Sequence, residues 1–481
     1  MKMKVGQLNN LTEEKLMEWL KSYLDFGEIV NDDFPSKGVS SWYPYGYALI
    51  KNILKLASNI LIKNAGFQEI VLPSFVHGED FMKECRHIKD FSEHVYWSPL
   101  YKEDDLHVVT PTIEAQLGSL YARWLRDSKA LPYKYFTIRS VARYITGRTI
   151  PLRKNRDLWP FFEGLSAHAS ETDLYYTIQQ EAEFMKEFFE ILGIPVLIIE
   201  TPKITPKLQE YSERRIEVIT ITQDKRVVIL ATIYDLGKMF SKVYDISYSV
   251  KNTKYYTLMT AIGLSGRVLA TLLTINGDNE GFIIPPFLAP VLVAILPVYD
   301  KNILNKQAKK IEKYLLSKEI TSKVFLATSS LGERRRKIKA MGIPFIIEIG
   351  PNEIKSSVIQ VKQRIETNVV NCSLEKLPKI IKTQCKSLEK TIKSRAVGQF
   401  KLLNRTAKSK VDFLYFARNE LLTKASLCDK STCYEGISKQ TSKKIIGRAY
   451  DESLDSKDKC IICGKTAVQN LYFGAKWRGE K

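Results

Sequence analysis

Residues 143–168 read RYITGRTIPLRKNRDLWPFFEGLSAH, a basic loop that runs into an aromatic segment and then a polar one. The loop and the aromatic cluster contain Arg148, Arg153, Lys154, Arg156, Trp159, Phe161 and Phe162. Cations on a turn suit a polyanion such as ATP or an RNA end. Aromatic walls beside Glu163 and His168 suit a small, partly apolar cation. The stretch alone slightly favours another interpretation, a solvated hairpin tip followed by a buried strand.

Length and composition set the first limits. The chain has 481 residues, enough for two to four domains, and 44% of them are hydrophobic. No apolar run approaches the roughly 20 residues that a membrane-spanning helix needs. The start of the chain carries acids and no apolar core segment, which argues against a signal or transit peptide. We therefore expect a cytoplasmic protein with no membrane partner.

The chain also carries an excess of positive charge. Lys and Arg number 73 against 53 Asp and Glu, which gives a net charge of +20 and a pI near 9.4. The excess is spread along the chain and favours a polyanionic partner such as a nucleic acid. A generally lysine-rich composition is the weaker alternative.

Four of the seven cysteines form two close pairs, Cys428 with Cys433 in CDKSTC and Cys460 with Cys463 in CIIC. In a cytoplasmic protein such pairs are typical of a tetrahedral zinc site and not of disulfides. The four-residue gap of the first pair is less usual, and free thiols in a tail are the alternative. The pattern favours a structural zinc ion.

The first part of the chain predicts two helices and a strand. An amphipathic helix follows its N-cap Thr12, and a second helix ends at Gly66. The strand at 67–75 contains Pro73, which places this proline at a sheet edge or a strand end. A long helix, a strand and a proline in this order often form a dimer contact.

Candidate site residues follow on the next strands. Thr112 can cap a helix with Glu114 in its first turn, or both side chains can point into a site at the end of the preceding strand. The next strand contains Arg139 and Arg143, and an arginine buried there needs an anionic partner. The pattern therefore leaves capping and binding open.

A long helix ending at Gly193 precedes strands over 196–260, and GLSGR at 263–267 then opens a buried helix. The glycines of this segment let the backbone approach a ligand, and Arg267 can point at a phosphate. An arginine paired with a buried acid is the alternative interpretation.

Beyond the prolines at 285, 286 and 290 the pattern changes. Strands and helices alternate over about 100 residues, which predicts a compact parallel α/β module with basic helices. Residues 376–408 predict a lysine-rich helical linker, and the cysteine pairs close the chain.

Together these segments resemble the class II aminoacyl-tRNA synthetases, specifically the prolyl-tRNA synthetases of the archaeal and eukaryotic type. Pro73 falls at the proline of motif 1, Arg143 at the arginine of motif 2, and Arg267 at the arginine of motif 3. Further family signatures are HIKDF at 87–91, EGLSAHA at 163–169 and IEIGP at 347–351. No large insertion separates motifs 2 and 3, so the editing domain of many bacterial relatives is not expected.

The resemblance implies an α+β fold, in which an antiparallel sheet with flanking helices is followed by an α/β anticodon-binding domain and a small zinc module. The implied boundaries are 1–285 for the catalytic domain, 286–390 for the anticodon-binding domain and 391–481 for the zinc module. It also implies a homodimer and a ligase that uses ATP and magnesium to join proline to tRNA through prolyl-adenylate.

The resemblance further implies roles for individual residues. Arg143 would bridge the α-phosphate and the substrate carboxylate, and Arg267 would hold the γ-phosphate. The implied ATP site comprises Arg143, Arg153, Arg156, Thr232 and Arg267. The implied proline site comprises Thr112, Glu114, Arg143, Phe161, Glu163, His168 and Ser265. The implied tRNA contacts are Arg148, Lys154, Glu348 and Arg364.

The chain departs from the family pattern at several polar positions. Thr110 stands where the family has arginine, Ile145 where it has an acid, Ile229 where it has glutamine, and Tyr234 where it has histidine. In the anticodon domain, Asn352 and Glu353 replace Arg and Asp of the family's Gly-Pro-Arg-Asp. Two alternatives therefore stay open: a paralogue that activates another small amino acid or only binds tRNA, and a nucleic-acid-binding protein that does not use ATP.

Overall fold

A computed structural model describes residues 8, 11–32, 36–86, 91–99, 105–125, 128–147, 149–201, 212–365, 369–450 and 458–477. Arg148 and most of the HIKDF segment lie outside these ranges. Within them, no helix is both long enough and apolar enough to cross a membrane.

The described residues form helices and strands along the whole chain. The α-helices are α1 (Glu13–Phe26), α2 (Pro44–Ala65), α3 (Gly78–Cys85), α4 (Glu114–Trp124), α5 (Glu171–Leu192), α6 (Met239–Tyr244), α7 (Arg267–Asn276), α8 (Asn302–Leu316), α9 (Leu331–Met341), α10 (Pro351–Ser356), α11 (Leu377–Leu403), α12 (Lys410–Arg418) and α13 (Ser431–Thr441). The strands are β1 (Val30–Asn31), β2 (Ser41–Trp42), β3 (Gln68–Glu69), β4 (Phe75–His77), β5 (Tyr96–Pro99), β6 (Leu106–Val109), β7 (Tyr133–Ala142), β8 (Asp157–His168), β9 (Leu197–Glu200), β10 (Arg214–Ile221), β11 (Val227–Gly237), β12 (Ser247–Val250), β13 (Thr253–Tyr256), β14 (Leu258–Ser265), β15 (Val293–Pro297), β16 (Ser322–Val324), β17 (Phe345–Ile349), β18 (Ile359–Gln363), β19 (Val369–Cys372), β20 (Asn404–Ala407), β21 (Leu422–Leu427), β22 (Lys444–Ala449) and β23 (Gln469–Gly474).

A large sheet with the strand order β20-β21-β23-β22-β9-β10-β11-β14-β8-β7-β3 forms the centre of the fold. Its neighbouring strands are antiparallel, apart from the parallel outermost pairs β20–β21 and β7–β3. The antiparallel sheet with flanking helices is therefore confirmed.

Helices cover both faces of the strands β7, β8, β11 and β14. On one face, α2 and α5 pack against Phe162 and Ile262, and on the other, α4 and α6 pack against Leu165 and Ala261. Successive residues of a strand point to opposite faces, so these two sets define which side chains of β8 and β14 lie on which side.

The ends of the main helices follow the sequence signals. Thr12 accepts a hydrogen bond from the Lys15 amide at the start of α1, as an N-cap does. Helices α2 and α5 end at Gly66 and Gly193, whose φ angles of 69° and 71° lie in the left-handed region that glycine adopts without strain.

The strand predicted over 67–75 is instead two short strands in different sheets. β3 pairs with β7 at the edge of the large sheet, whereas β4 pairs with β6 in a separate three-stranded sheet. Pro73 lies in the connection between them, outside both strands, where its missing N–H breaks no strand ladder.

Residues 293–372 form a second sheet with the order β16-β15-β17-β18-β19 and a core of their own. β15 pairs parallel with β16 and β17, as the alternating pattern predicted. β18 and β19 pair antiparallel, so the prediction of an entirely parallel module was wrong for its last two strands.

Helix α11 and the C-terminal strands pack against the rest of the described structure. Helix α11 buries Ile381, Leu388 and Ile392 against the core of the second sheet. Beyond it, β22 pairs with β9 of the large sheet, with Arg448 opposite Glu200. The helix predicted over 376–408 is therefore confirmed, but its interpretation as a linker was wrong, since the helix is packed and the strands that follow it extend the central sheet.

Candidate active site

A row of residues across four adjacent strands forms the floor of the candidate site. Thr232 of β11 lies opposite Gly263 of β14, which lies opposite Glu163 of β8, which lies opposite Thr137 of β7. Because directly opposed residues share one face of a sheet, these side chains project to the same side. A Cβ atom built on Gly263 would meet nothing closer than 3.9 Å, so the missing side chain leaves room beside Glu163.

Thr112 joins two buried carboxylates at the edge of this floor. Its Oγ1 donates a hydrogen bond of 2.8 Å to Glu163 Oε1 and also contacts Glu114 Oε2. Helix α4 has Ile113 as its N-cap and no side-chain cap, so the capping interpretation of Thr112 was wrong. One hydroxyl supplies one proton, and the second carboxylate contact therefore needs a proton from the carboxyl side.

The protonation of Glu163 agrees with this arrangement. Burial, and next the charge of Glu114, raise the pKa of Glu163 to about 8, while Arg143 and the Thr112 hydroxyl act in the opposite direction. A raised carboxyl pKa in a buried polar cluster is a common property of functional sites. The cluster is therefore suited to hold a cationic group, whose charge would replace the shared proton.

Glu84 adds a third buried carboxyl that sequence reasoning missed. It is 1% exposed on α3, and burial followed by the charges of Glu114 and Glu163 raises its pKa well above the ordinary range. Its position three residues after the buried Phe81 places it on the inner face of α3. An acid at an apolar helical position was thus the available sequence signal.

Arg143 lies directly after β7 and faces the same cluster. Its Nε donates to the Pro111 carbonyl at 2.9 Å, and its guanidinium lies 5.0 Å from the ring centre of Phe161. Phe161 is opposite Ser265 on the neighbouring strand, so the structure brings Arg143, Phe161 and Ser265 together with Glu163. The arrangement places one fixed cation near carboxyl groups and an aromatic wall.

Arg139 and Gln116 form a second polar link that the family motifs did not indicate. Arg139 donates to Gln116 Oε1 and to the Pro73 carbonyl, both at 2.7 Å. Thr110 donates to the same Gln116 oxygen at 3.1 Å, and Gln116 Nε2 donates to the Pro73 carbonyl at 2.7 Å. Neutral acceptors thus hold Arg139 by hydrogen bonds and tie the turn at Thr110 to Pro73. The nearby charge of Glu163 supplies the anion that the sequence predicted.

His168 does not lie in this cluster. It is five positions from Glu163 on a regular strand, and an odd separation puts it on the opposite face, towards α5. Its Nε2 lies 2.7 Å from Ser166 Oγ, Ser166 lies 2.6 Å from Thr260 Oγ1, and Thr260 donates to Glu181 of α5. The expectation that His168 lines the amino-acid pocket does not fit this placement, because strand alternation turns it into the core.

The titration of this second network follows from its burial. Burial, then the nearby Lys134, lower the pKa of His168 to about 4, so its ring is neutral at physiological pH. Burial raises the pKa of Glu181 to about 8, against the hydrogen bond from Thr260. The network is therefore a neutral structural support beneath β8.

The arginines in and next to the basic loop differ in their contacts and in their burial. Arg267 Nε donates to the Arg153 carbonyl at 3.1 Å, which ties the start of α7 to the loop. Arg153 itself is 2% exposed, with its guanidinium 5.6 Å from the ring centre of Trp477. The expectation that Arg153 binds ATP does not fit, because Trp477 from the C-terminal end covers it.

Arg156 donates hydrogen bonds to nearby backbone carbonyl groups. Its Nε donates to the Ile145 carbonyl at 3.1 Å, and its Nη1 donates to the carbonyl of Lys37. Lys154 is half-buried next to it. These contacts hold the loop closed over the end of β7.

Two positions where the chain departs from the family pattern are filled by apolar or aromatic packing. Ile229 packs in a cluster with Leu422 and Tyr472 of the C-terminal strands. Tyr234 stacks with the Arg215 guanidinium at 5.6 Å. The surrounding side chains thus complement the residues present and not the family's glutamine and histidine.

The residues expected to contact tRNA are separated. Glu348 pairs with Arg335 at 2.5 Å and Lys362 at 2.6 Å, and these bonds outweigh burial and lower its pKa. Arg364 is 5% exposed and forms two hydrogen bonds to the Asp278 carboxylate, of 2.7 and 2.9 Å. The expectation for Arg364 was wrong, because a buried ion pair holds its guanidinium inside the molecule.

The four paired cysteines meet in one cluster. The sulfur atoms of Cys428, Cys433, Cys460 and Cys463 all lie within 4.8 Å of one another. Cys428 and Cys463 are 3.7 Å apart, far beyond the roughly 2.05 Å of a disulfide. Tetrahedral ligands at the usual zinc–sulfur distance of about 2.3 Å would lie about 3.8 Å apart, so the cluster fits a metal ion.

Comparisons with known proteins agree with one another. The model of the anticodon binding domain family matches residues 292–384. The proline–tRNA ligase of Sulfolobus acidocaldarius is 30% identical over 478 residues, covering 95% of this chain and 97% of the relative. That of Methanopyrus kandleri is 27% identical over 463 residues, covering 94% and 93%. The solved Giardia lamblia prolyl-tRNA synthetase in complex with prolyl-adenylate matches with a TM-score of 0.88 at 22% identity, over 99% and 100% of the two chains.

Proposed function

The chain belongs to the proline–tRNA ligase family, and from that premise we propose that it activates proline with ATP and transfers it to the 3′ end of tRNA. The Thr112–Glu114–Glu163 cluster facing Arg143 is the observation that carries the proposal. A zwitterion with one cationic and one anionic end, and an apolar ring between them, complements two carboxylates, a guanidinium and the face of Phe161.

The proline site in this proposal consists of Thr112, Glu114, Glu163, Phe161 and Ser265. Glu114 and Glu163 receive the imino group, and Thr112 keeps the two carboxylates at hydrogen-bonding distance. Phe161 contacts the pyrrolidine ring, and Gly263, which lies opposite Glu163, leaves space for that ring. Glu84 is buried close enough to this cluster for the charges of Glu114 and Glu163 to raise its pKa further.

In the proposed reaction, Arg143 has the main role in aligning the substrates and stabilising negative charge. The proline carboxylate attacks the α-phosphorus of ATP and pyrophosphate leaves; the terminal ribose hydroxyl of tRNA then attacks the carbonyl carbon and AMP leaves. Both steps need alignment and stabilisation of negative charge more than proton transfer. Arg143 holds the substrate carboxylate against the α-phosphate, and Arg267 holds the outer phosphates. Magnesium neutralises the phosphates when bound.

Other parts of the chain support the later step. The anticodon-binding domain, proposed over 286–390, holds the tRNA, and the C-terminal module is proposed over 391–481. Lys154 contacts the acceptor end from the loop beside Arg143, and Glu348 presents its cationic partners to the anticodon arm. Thr232 lines the nucleotide side of the floor.

We also propose that the cysteine cluster holds a structural zinc ion and that two copies of the chain form a dimer. The sulfur separations support the first proposal. Val71 and Phe75, which flank Pro73 with 91% and 40% of their side chains exposed, support the second. Metal analysis after Cys460→Ser tests the zinc: we expect the ion to be lost, and an unchanged zinc content would contradict the site. Light scattering of Phe75→Lys tests the dimer, which should dissociate.

The test of the main proposal is proline-dependent exchange of pyrophosphate into ATP, run in parallel with every other amino acid. Proline should be the amino acid that supports exchange. Exchange with another small amino acid would point to an altered specificity, and no exchange at all would leave a protein that only binds tRNA. The packing of Ile229 and Tyr234 favours a second candidate function, that of a protein that only binds tRNA.

A further inference from the structure

Helix α11 presents a row of lysines to solvent. Lys379, Lys382, Lys386, Lys390, Lys393 and Lys401 are all exposed, and we call this row the lysine face of α11. Steps of three and four residues bring side chains onto one side of a helix. From Lys379 to Lys401 the row spans 23 residues, or roughly 33 Å at a rise of 1.5 Å per residue.

The opposite side of α11 fixes the direction of these lysines. Ile381, Leu388 and Ile392 are buried in the core of the second sheet, so the helix cannot rotate about its axis. The lysine face therefore points outward as a rigid linear array of charges.

Few acids accompany the lysine face. Glu389 is the one carboxylate in the sequence of α11, and it is half-buried. Lys393 lies 3.4 Å from Glu190 of α5, an ion pair with both side chains about half exposed or more, which solvent screens strongly. Most of the positive charge of the face is thus available to an outside partner.

A lysine-rich composition does not explain the pattern. Helix α5 is of similar length and carries six carboxylates with one lysine, so long helices of this chain are not always basic, and the lysine row of α11 is longer than that of the basic helix α8. The exposed polar residues between the lysines of α11 include Thr383, Ser387 and Ser394, which are uncharged. The surface combines cations and hydroxyls, the groups that contact phosphate oxygens.

We propose that the lysine face of α11 binds the sugar–phosphate backbone of tRNA. The first turns of the helix lie within residues 292–384, which match the anticodon binding domain, so the face extends that domain's surface towards the C-terminal strands. The choice of tRNA over other polyanions rests on the proposed function. Backbone contacts of this kind add affinity without reading sequence.

The test compares tRNA binding by the full-length protein and by the triple variant Lys382→Gln, Lys386→Gln, Lys390→Gln. Binding of a tRNA transcript with a proline anticodon is measured by fluorescence anisotropy over a series of KCl concentrations. We expect about tenfold weaker binding and a log Kd versus log [KCl] slope reduced by about 2, since each neutralised phosphate contributes about 0.7–0.9.

Matched variants separate the face from net charge and from folding. Lys306→Gln, Lys310→Gln, Lys313→Gln removes the same charge from one exposed side of α8. Lys→Arg changes at 382, 386 and 390 keep the charge, and should keep both the affinity and the slope. An unchanged slope in the α11 glutamine variant, or an equal loss in the α8 variant, would overturn the proposal.

The result is independent of catalysis. Proline-dependent pyrophosphate exchange needs no tRNA and should be equal in the wild type and the α11 variant. If the wild-type protein showed no proline-dependent pyrophosphate exchange, the proposed function would be wrong. The slopes of log Kd against log [KCl] would still decide whether α11 contacts RNA.

Discussion

The two ends of the candidate pocket differ in the polarity of the buried residues that form them. At the amino-acid end, Glu114 and Glu163 are buried polar groups joined by Thr112. At the nucleotide end, Ile229 packs against apolar C-terminal strands and Arg153 is covered by Trp477. Buried polar groups are costly unless they are satisfied, so a chain keeps them where a ligand or a network needs them. Under the proposed function, we expect the pocket to recognise a small zwitterion with buried charge and to hold the nucleotide mainly by its phosphates.

The change with the largest expected effect removes the group that serves both ends. Arg143→Ala should lower proline-dependent pyrophosphate exchange by about 10³-fold, as loss of a preorganised charge-stabilising donor does. Steady-state exchange rates provide the measurement, with Lys51→Ala on the outer side of α2 as the control. Persistent exchange in Arg143→Ala would contradict the proposed role of this arginine, because the two ends of the pocket would then not share it.

A change confined to the amino-acid end comes next. Glu163→Gln should raise the KM for proline about 30-fold and leave the KM for ATP nearly unchanged, since a charged hydrogen bond contributes about 1.5–3 kcal/mol. Equal changes in both constants would show that the two ends are not separable.

The same carboxyl predicts a pH dependence with a defined sign. The pKa of Glu163 is about 8 in the folded protein and ordinary when unfolded, so between about pH 4.5 and 8 the folded state holds a proton that the unfolded chain lacks. Stability without ligand should therefore fall as pH rises through this window. Denaturant titrations at pH 5 and 8 check this, and Glu163→Gln should flatten the trend. The KM for proline should fall over the same range, because the ionised carboxylate binds the cation.

A smaller effect is expected at the nucleotide end. Trp477→Ala should raise the KM for ATP about tenfold with little change for proline, because the loop that holds Arg267 loses its cover over Arg153. Trp477→Phe keeps an aromatic ring and should restore most of the affinity. A variant with altered melting but an unchanged KM for ATP would show that Trp477 serves stability alone.

The smallest effect tests whether the apolar end can be made polar. Ile145 is half-exposed beside Arg143, and Ile145→Glu would restore the acid of the family pattern. One added hydrogen bond contributes about 1 kcal/mol, so the KM for ATP should fall about fivefold. Kinetics at saturating proline measure this, and a higher KM would mean that the departure is part of a rearranged nucleotide site.

Local signals were enough for much of the fold. Thr12, Gly66 and Gly193 act within one helical turn, and each appears where the sequence predicted it. Arg143 directly follows the end of β7, and Arg267 is the first residue of α7.

Errors arose where the partner of a side chain is distant in sequence. His168 and Glu163 lie on one strand, but five positions put them on opposite faces. Arg364 meets Asp278, 86 residues away, and Arg153 meets Trp477 at the far end of the chain. A motif specifies which residue is present, whereas long-range packing decides whether its charge reaches a ligand.

The pairing of β22 with β9 has a consequence for any shortened form of the chain. Without residues 404–477, β9 would become the last strand of the sheet, and its free N–H and C=O groups would face solvent beside the apolar residues Ile199 and Ile229. An uncovered, apolar sheet edge is a template for intermolecular strand addition. The C-terminal strands therefore act as a protective cap against aggregation, and an isolated catalytic fragment should precipitate unless a polar residue is placed on that edge.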